Sequence, residues 1–121
     1  MGIASKQELL ARGGKRRFSE VALSDGTLVR IRSLTREDQR NIRKAIQKKD
    51  GSEDPNKRNF FADVMLAMSI VGEDDQPIFT IDDALKGVFD AWDTTDATQL
   101  VTAVYALNGA SEASPEDAAK N

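Results

Sequence analysis

Apolar and polar residues alternate along FSEVAL (18–23) and again along LVRIRSL (28–34), with SDGT between them. Period-two alternation sends successive side chains to opposite faces of a strand, and Asp25-Gly26 suits the positive φ of a tight turn, so this stretch predicts a β-hairpin. Phe18, Val21, Leu23, Leu28, Val29 and Ile31 supply its apolar faces, while Arg30 and Arg32 point to the other side. A two-stranded hairpin is marginal in water by itself, so something must cover it. Beyond Thr35 the period changes to that of a helix. Thr35-x-x-Asp38 has the form of a capping box, and Glu37 and Asp38 suit the positive end of the helix dipole. Arg36, Arg40, Arg43, Lys44, Gln47 and Lys48 then fall on one side, with Ile42, Ala45 and Ile46 on the other.

DGSEDPN (50–56) reads as a loop from its glycine, proline and polar residues. From Lys57 to Val71 the apolar residues Phe60, Phe61, Val64, Met65, Leu66, Met68, Ile70 and Val71 cover most of a helical circumference, which predicts a buried helix that organises the core. Its two methionines are assigned to core filling in preference to an adaptable binding surface. EDDQP (73–77) is then a turn ending that helix, and IFT leads into the next. Thr80-x-x-Asp83 is a second box-like start, followed by Ile81, Leu85, Val88 and Trp92 at helical spacing with Asp82, Asp83, Lys86 and Asp90 outside. A last helix runs from about Thr95 to Asn108 on the stripe Ala97, Leu100, Val101, Val104 and Leu107, stopped by Gly109. At the other end, Ser5 before KQELLAR predicts a short capped helix or frayed arm, and GGKRR (13–17) a flexible basic joint without the spacing of a phosphate-binding loop.

These elements define an α+β fold: an N-terminal β-hairpin packed against about four helices, mostly helical. Residues 1–17 form an arm, 18–109 a single domain and 110–121 (ASEASPEDAAKN at the end) a disordered tail. A chain of 121 residues accommodates one modest core.

Composition removes most chemistry. Without a single cysteine or histidine, thiolate nucleophiles, disulfides, Cys/His zinc sites and histidine bases are excluded. No stretch approaches the length of apolar sequence that spans a bilayer, and the N-terminus has no leader-like apolar run, so a cytoplasmic protein is expected. MGIASK fits the loose N-myristoylation pattern, which is short enough to be read as chance. The acidic cluster Glu73, Asp74 and Asp75 is consecutive and lacks the alternating ligands and turn glycine of a calcium loop. Paired carboxylates for glycosidic chemistry need a cleft that helix-start acids rarely provide. The expectation is therefore a non-enzyme with no cofactor and no metal.

Charge is distributed unevenly. Residues 1–58 hold 15 Lys/Arg against 8 Asp/Glu, net +7, and residues 59–121 hold 2 against 12, net −10. The halves attract, and the asymmetry equally suits a basic or an acidic contact face. The basic helix together with Arg30 and Arg32 could neutralise phosphates. No aromatics interleave with the charges, however, and a solvated helix face is preferred over nucleic acid.

In this order, the DGT hairpin, VRIRSLTREDQRNI, an apolar helix running into SIVGEDDQPIFTIDDALKGVFDAWD, and LVTAVYALNGAS resemble the tail assembly chaperones of long-tailed bacteriophages and prophages, over roughly residues 18–110. The resemblance implies a cytoplasmic, non-enzymatic role in virion assembly. The family keeps the tape measure protein soluble and recruits tail tube protein around it, and it is expected to be absent from the mature virion. Family members are often also made as a longer, frameshifted product, and small chaperones of this kind can form homo-oligomers. For partner binding, Arg36, Arg40, Arg43 and Lys44 are nominated as a basic contact and Asp74, Asp75, Asp82 and Asp83 as an acidic one. The alternatives are a small nucleic-acid-binding or regulatory protein that uses the basic helix, and a structural tail subunit.

Overall fold

The computed structural model describes residues 2–47, 50–52, 54 and 60–109. Elements follow in the order α1 (Lys6–Leu10), β1 (Phe18–Ala22), β2 (Leu28–Arg32), α2 (Arg36–Ala45), α3 (Phe61–Ser69), β3 (Ile70–Val71), α4 (Ile81–Leu85) and α5 (Thr94–Leu107). The α+β expectation holds, with one more strand than the hairpin: a three-stranded antiparallel sheet in the order β1-β2-β3. Residues 53, 55 and 56 of the DGSEDPN loop and the whole 110–121 tail lie outside the described residues.

The hairpin pairs Phe18 with Arg32 through to Ala22 with Leu28. Its turn is a three-residue loop and not a two-residue one: the Leu23 amide donates to the Thr27 carbonyl (2.9 Å) and the Gly26 amide to that of Leu23 (2.9 Å). Gly26 takes φ 86°, the left-handed residue that closes such loops. A Cβ there would meet nothing within 4 Å, so the position demands glycine for its backbone alone. Gly26→Ala is expected to cost about 1–2 kcal/mol, read as a lower urea midpoint at unchanged slope.

The pleat separates the apolar residues of the hairpin. Val21 and Ile31 are buried, and Leu23 and Val29 pack beside them. Phe18 and Leu28 lie on the opposite, exposed face with Arg30, whose guanidinium sits 4.7 Å above the Phe18 ring. That contact is a cation–π pair at the surface.

The helix expected over 57–71 ends at Ser69; its first residues, 57–59, lie outside the described chain. Ile70 turns extended (φ −75°, ψ 124°) and pairs with Ile31, as Val71 does with Arg30. Two β-branched residues facing the open edge of β2 gain ladder hydrogen bonds there that a further helical turn would not supply. Arg32 secures the junction by donating from Nε to the Met68 carbonyl (2.9 Å), one of the carbonyls a helix end leaves free. Ser69, fully buried, donates its hydroxyl to the Met65 carbonyl (2.8 Å).

EDDQP is accordingly a hairpin loop and not the end of a helix. The Gly72 amide donates to the Gln76 carbonyl (2.9 Å) and the Asp75 amide to that of Gly72 (3.0 Å), repeating the geometry of the first turn with Asp75 in the place of Gly26. Asp75 adopts φ 64°, which aspartate tolerates better than most residues. Pro77 and Ile78 then run back beside β3.

The helix expected from Ile81 also stops earlier than its pattern suggests. Thr80 and Asp83 form the expected capping box, but α4 ends at Leu85 and Gly87 takes φ 87°. Val88, expected on the apolar stripe, is exposed, and Phe89 takes the core position instead, edge-on to Phe79 (5.1 Å between centroids) and Trp92 (5.2 Å). Helix α5 follows its predicted stripe from an Asp93 cap, with Leu100 and Val104 fully buried. The core that results joins Ile31, Ile42, Val64, Leu66, Leu100 and Val104 from four elements, with α3 at its centre.

GGKRR is anchored at its distal end. Arg16 donates to the Ser33 carbonyl (3.0 Å) and to the Asp38 carboxylate, and the Ser33 amide donates to the Arg17 carbonyl (2.7 Å). The Arg17 guanidinium reaches the Leu107 carbonyl at the end of α5. Before these anchors α1 is the short capped helix expected at Ser5, closed by a Ser5–Glu8 capping box, yet Ile3, Leu9 and Leu10 are all exposed.

Candidate interaction surface

Helix α2 divides cleanly. Its inward side carries Ile42 and Asp38, both buried. The Asp38 carboxylate accepts from the Thr35 amide (2.8 Å) and from Arg16, so it serves at once as half of the capping box and as an ion-pair partner. Burial pushes this carboxyl up, but the hydrogen bonds from Arg16 and Thr35, together with the Arg16 charge, outweigh burial and hold it below the usual aspartate value. The outward side carries Arg36, Arg40, Arg43 and Lys44, all exposed. Among the described residues none of these four makes a side-chain hydrogen bond or ion pair, while Lys48 lies outside them. Their spacing of four, three and one residues sets them along one stripe of the helix.

The four nominated acids have occupations of their own. Asp74 accepts from the Gln76 amide (3.1 Å) within its loop, and Asp83 caps α4 by accepting from the Thr80 amide (2.9 Å). Asp82 pairs with Lys86 one turn on (2.9 Å), exposed on both sides and therefore screened by water. Asp75 binds Arg30 through Nε (2.7 Å), and Glu20 approaches the same guanidinium at 3.8 Å. Among the described residues, Arg30–Asp75 is the one ion pair that joins the basic and acidic halves of the chain. Packing of the halves therefore leaves most of the basic charge unspent, and the basic nominees form a free stripe where the acidic ones do not.

Beside that stripe lies a feature which the sequence pattern did not reveal. Leu34, Ile42, Phe61, Met65 and Tyr105 wall a cleft of about 200 Å³ between α2, α3 and α5, with Gln39, Arg43 and Asn108 at its edge. Asn108 braces the wall, accepting from the Leu34 amide (2.7 Å) and donating to the Val104 carbonyl (2.7 Å). Met65 is buried and Phe61 is 39% exposed, so the cleft has an apolar floor and an open aromatic lip. Met65 is thus core on one side and cleft floor on the other. A second hollow of about 310 Å³ lies between Leu28, Arg30, Val71 and Ile78 on the outer face of the sheet.

Among the described residues no group of three or more acids converges on a metal-sized site. Asp63 is the carboxyl held above the ordinary value, first by burial and then by the charge of Asp90, and it lines neither hollow. No described helix is long and apolar enough to cross a membrane.

A small antiparallel sheet joined to a set of helices in this order is the fold of a phage tail assembly chaperone. The solved structure of the bacteriophage HK97 tail assembly chaperone superposes on it with a TM-score of 0.56, covering 84% of this chain and 98% of that one at 16% identity. No protein-family profile matches the chain, and no curated protein matches it either.

Proposed function

We propose that the chain is a bacteriophage tail assembly chaperone. It binds the tape measure protein in the host bacterial cytoplasm, keeps it soluble, helps to recruit tail tube subunits around it, and is left out of the mature virion. The observation that carries this reading is the shared fold, which extends over 98% of the HK97 tail assembly chaperone. The free cations of α2 support it, because an assembly partner must be held and later released, and exposed charge gives fast, salt-tunable association.

Reversing Arg36, Arg40 and Arg43 to Glu removes no hydrogen bond or ion pair among the described residues, so the thermal midpoint is expected to stay close to that of the parent. Capture of the tape measure protein is expected to weaken on the order of tenfold at physiological salt. Unchanged capture removes the basic face from the contact. The same cations also favour one other reading, nucleic-acid binding. Retention on DNA that declines steeply with salt and vanishes in the triple variant supports that reading against the chaperone.

A further inference from the structure

We propose that the cleft between α2, α3 and α5 is the docking site for an acidic amphipathic helix. One large apolar side chain of that helix enters between Phe61 and Tyr105 onto Met65, and its carboxylates meet Arg36, Arg40, Arg43 and Lys44. The inference rests on the chaperone reading and deepens it by naming what the surface grips.

Size argues for a side chain as occupant. About 200 Å³ is below the range of small-molecule and cofactor pockets and matches a single leucine or phenylalanine side chain. Polarity argues that the side chain is apolar. The Asn108 amide is already committed to Leu34 and Val104, and the floor is Ile42 and Met65, so a polar group entering the cleft would lose its water for little return. Aromatic lips around an apolar floor are the kind of surface on which a few residues carry most of the binding energy.

Charge complementarity identifies the rest of the partner. Arg43 belongs both to the cleft edge and to the basic stripe, so anything seated in the cleft places its neighbouring residues among four cations with no partner in the described chain. A helix presents such neighbours three and four residues from its apolar anchor, one turn to either side. A basic helix would be repelled. A membrane surface is disfavoured because the apolar side of α2 is buried in the core and cannot insert, and a phosphate backbone has no use for the apolar floor.

The test uses the full chain and a labelled synthetic helix of about 18 residues, five turns, with leucine anchors on one face and glutamate beside them. Fluorescence anisotropy is followed between about 50 and 200 mM salt. Two control peptides replace Glu by Lys or Leu by Ala, and two protein variants, Phe61→Ser and Arg40→Glu/Arg43→Glu, are first shown to be folded by circular dichroism. The glutamate peptide is expected to bind about tenfold more tightly than either control and to lose about tenfold in each variant, with affinity falling as salt rises. Binding by the alanine peptide as tight as by the leucine peptide overturns the proposal, as does equal binding of the lysine peptide. Binding seen only after removal of residues 1–12 gives the cleft to α1, and a concentration-dependent doubling of mass abolished by Phe61→Ser gives it to a second copy; both overturn it. The measurement involves no tape measure protein. Failure of capture in cells alongside peptide binding therefore removes the chaperone reading alone.

Discussion

Leu66→Ala is expected to destabilise the fold by about 2–5 kcal/mol. Leu66 is 1% exposed at the middle of α3, and α3 packs against α2, α4 and α5 and continues into β3. The side chain is therefore enclosed from several directions, and neighbours held by separate elements cannot all collapse into the space it vacates. Cost grows with the cavity that remains, which places this site toward the upper part of the range. Urea denaturation followed by circular dichroism gives the difference from the midpoint and slope. Met68→Ala, on the same helix but only half-buried, supplies the comparison and is expected to cost clearly less. Equal losses at the two positions would show that the enclosure of Leu66 does not set the cost.

Asp38→Asn is expected to cost about 2–4 kcal/mol near neutral pH, because it leaves the largely buried Arg16 guanidinium without its counter-charge. Asparagine can still accept from the Thr35 amide, so the cap survives in part and the loss reports the ion pair; alanine removes both and is expected to lose about a further 1 kcal/mol. The consequence reaches beyond α2. Arg16 also holds the Ser33 carbonyl and fixes the root of the N-terminal arm, so the variant is expected to raise amide exchange at Ser33 and Arg17. Acid dependence has a definite sign. The folded carboxyl lies below 3.8, so its stabilisation is complete above the unfolded aspartate value and is lost as pH falls below it toward the folded one. Parent and Asp38→Asn should differ by a constant amount from pH 7 to about 5 and converge below about 4. A gap that persists undiminished at low pH would mean that packing, not charge, holds the site.

Where the sequence reading succeeded, local chemistry and tertiary need coincided. Thr35-x-x-Asp38 and Thr80-x-x-Asp83 are capping boxes because the side chains that satisfy the first amides sit three residues apart, which is visible in one dimension. The α2 stripe was legible for the same reason, since Arg36, Arg40, Arg43 and Lys44 repeat at helical spacing and nothing in the fold diverts them. Ile70-Val71 was misread because two apolar residues after an apolar helix continue its pattern. Only the free edge of β2, nearly forty residues away in sequence, turns them into a strand. The β-branched pair before Gly72 was the one local sign. Phe89 was missed because Gly87, at φ 87°, interrupts a spacing that Val88 would otherwise have continued. Arg16 and Arg17 look like solvated charge in sequence, and their partners Asp38 and Leu107 come from distant turns of the chain. The cleft was illegible altogether, since Ile42, Met65 and Tyr105 belong to three helices whose apposition no single stretch encodes. Of the acidic nominees, Asp83 had already declared its structural role through Thr80, and the unusual backbone of Asp75 is explained by a loop geometry shared with Gly26.

Whether the chain holds an assembly partner in solution is decided by co-expression with the longest helix-rich protein encoded downstream, followed by affinity capture and mass determination of the soluble complex. A tail assembly chaperone requires that the long protein become soluble only alongside this chain, in a complex of several copies to one. A long protein that remains insoluble while this chain elutes alone would contradict that function and leave only the fold in common with the HK97 chaperone.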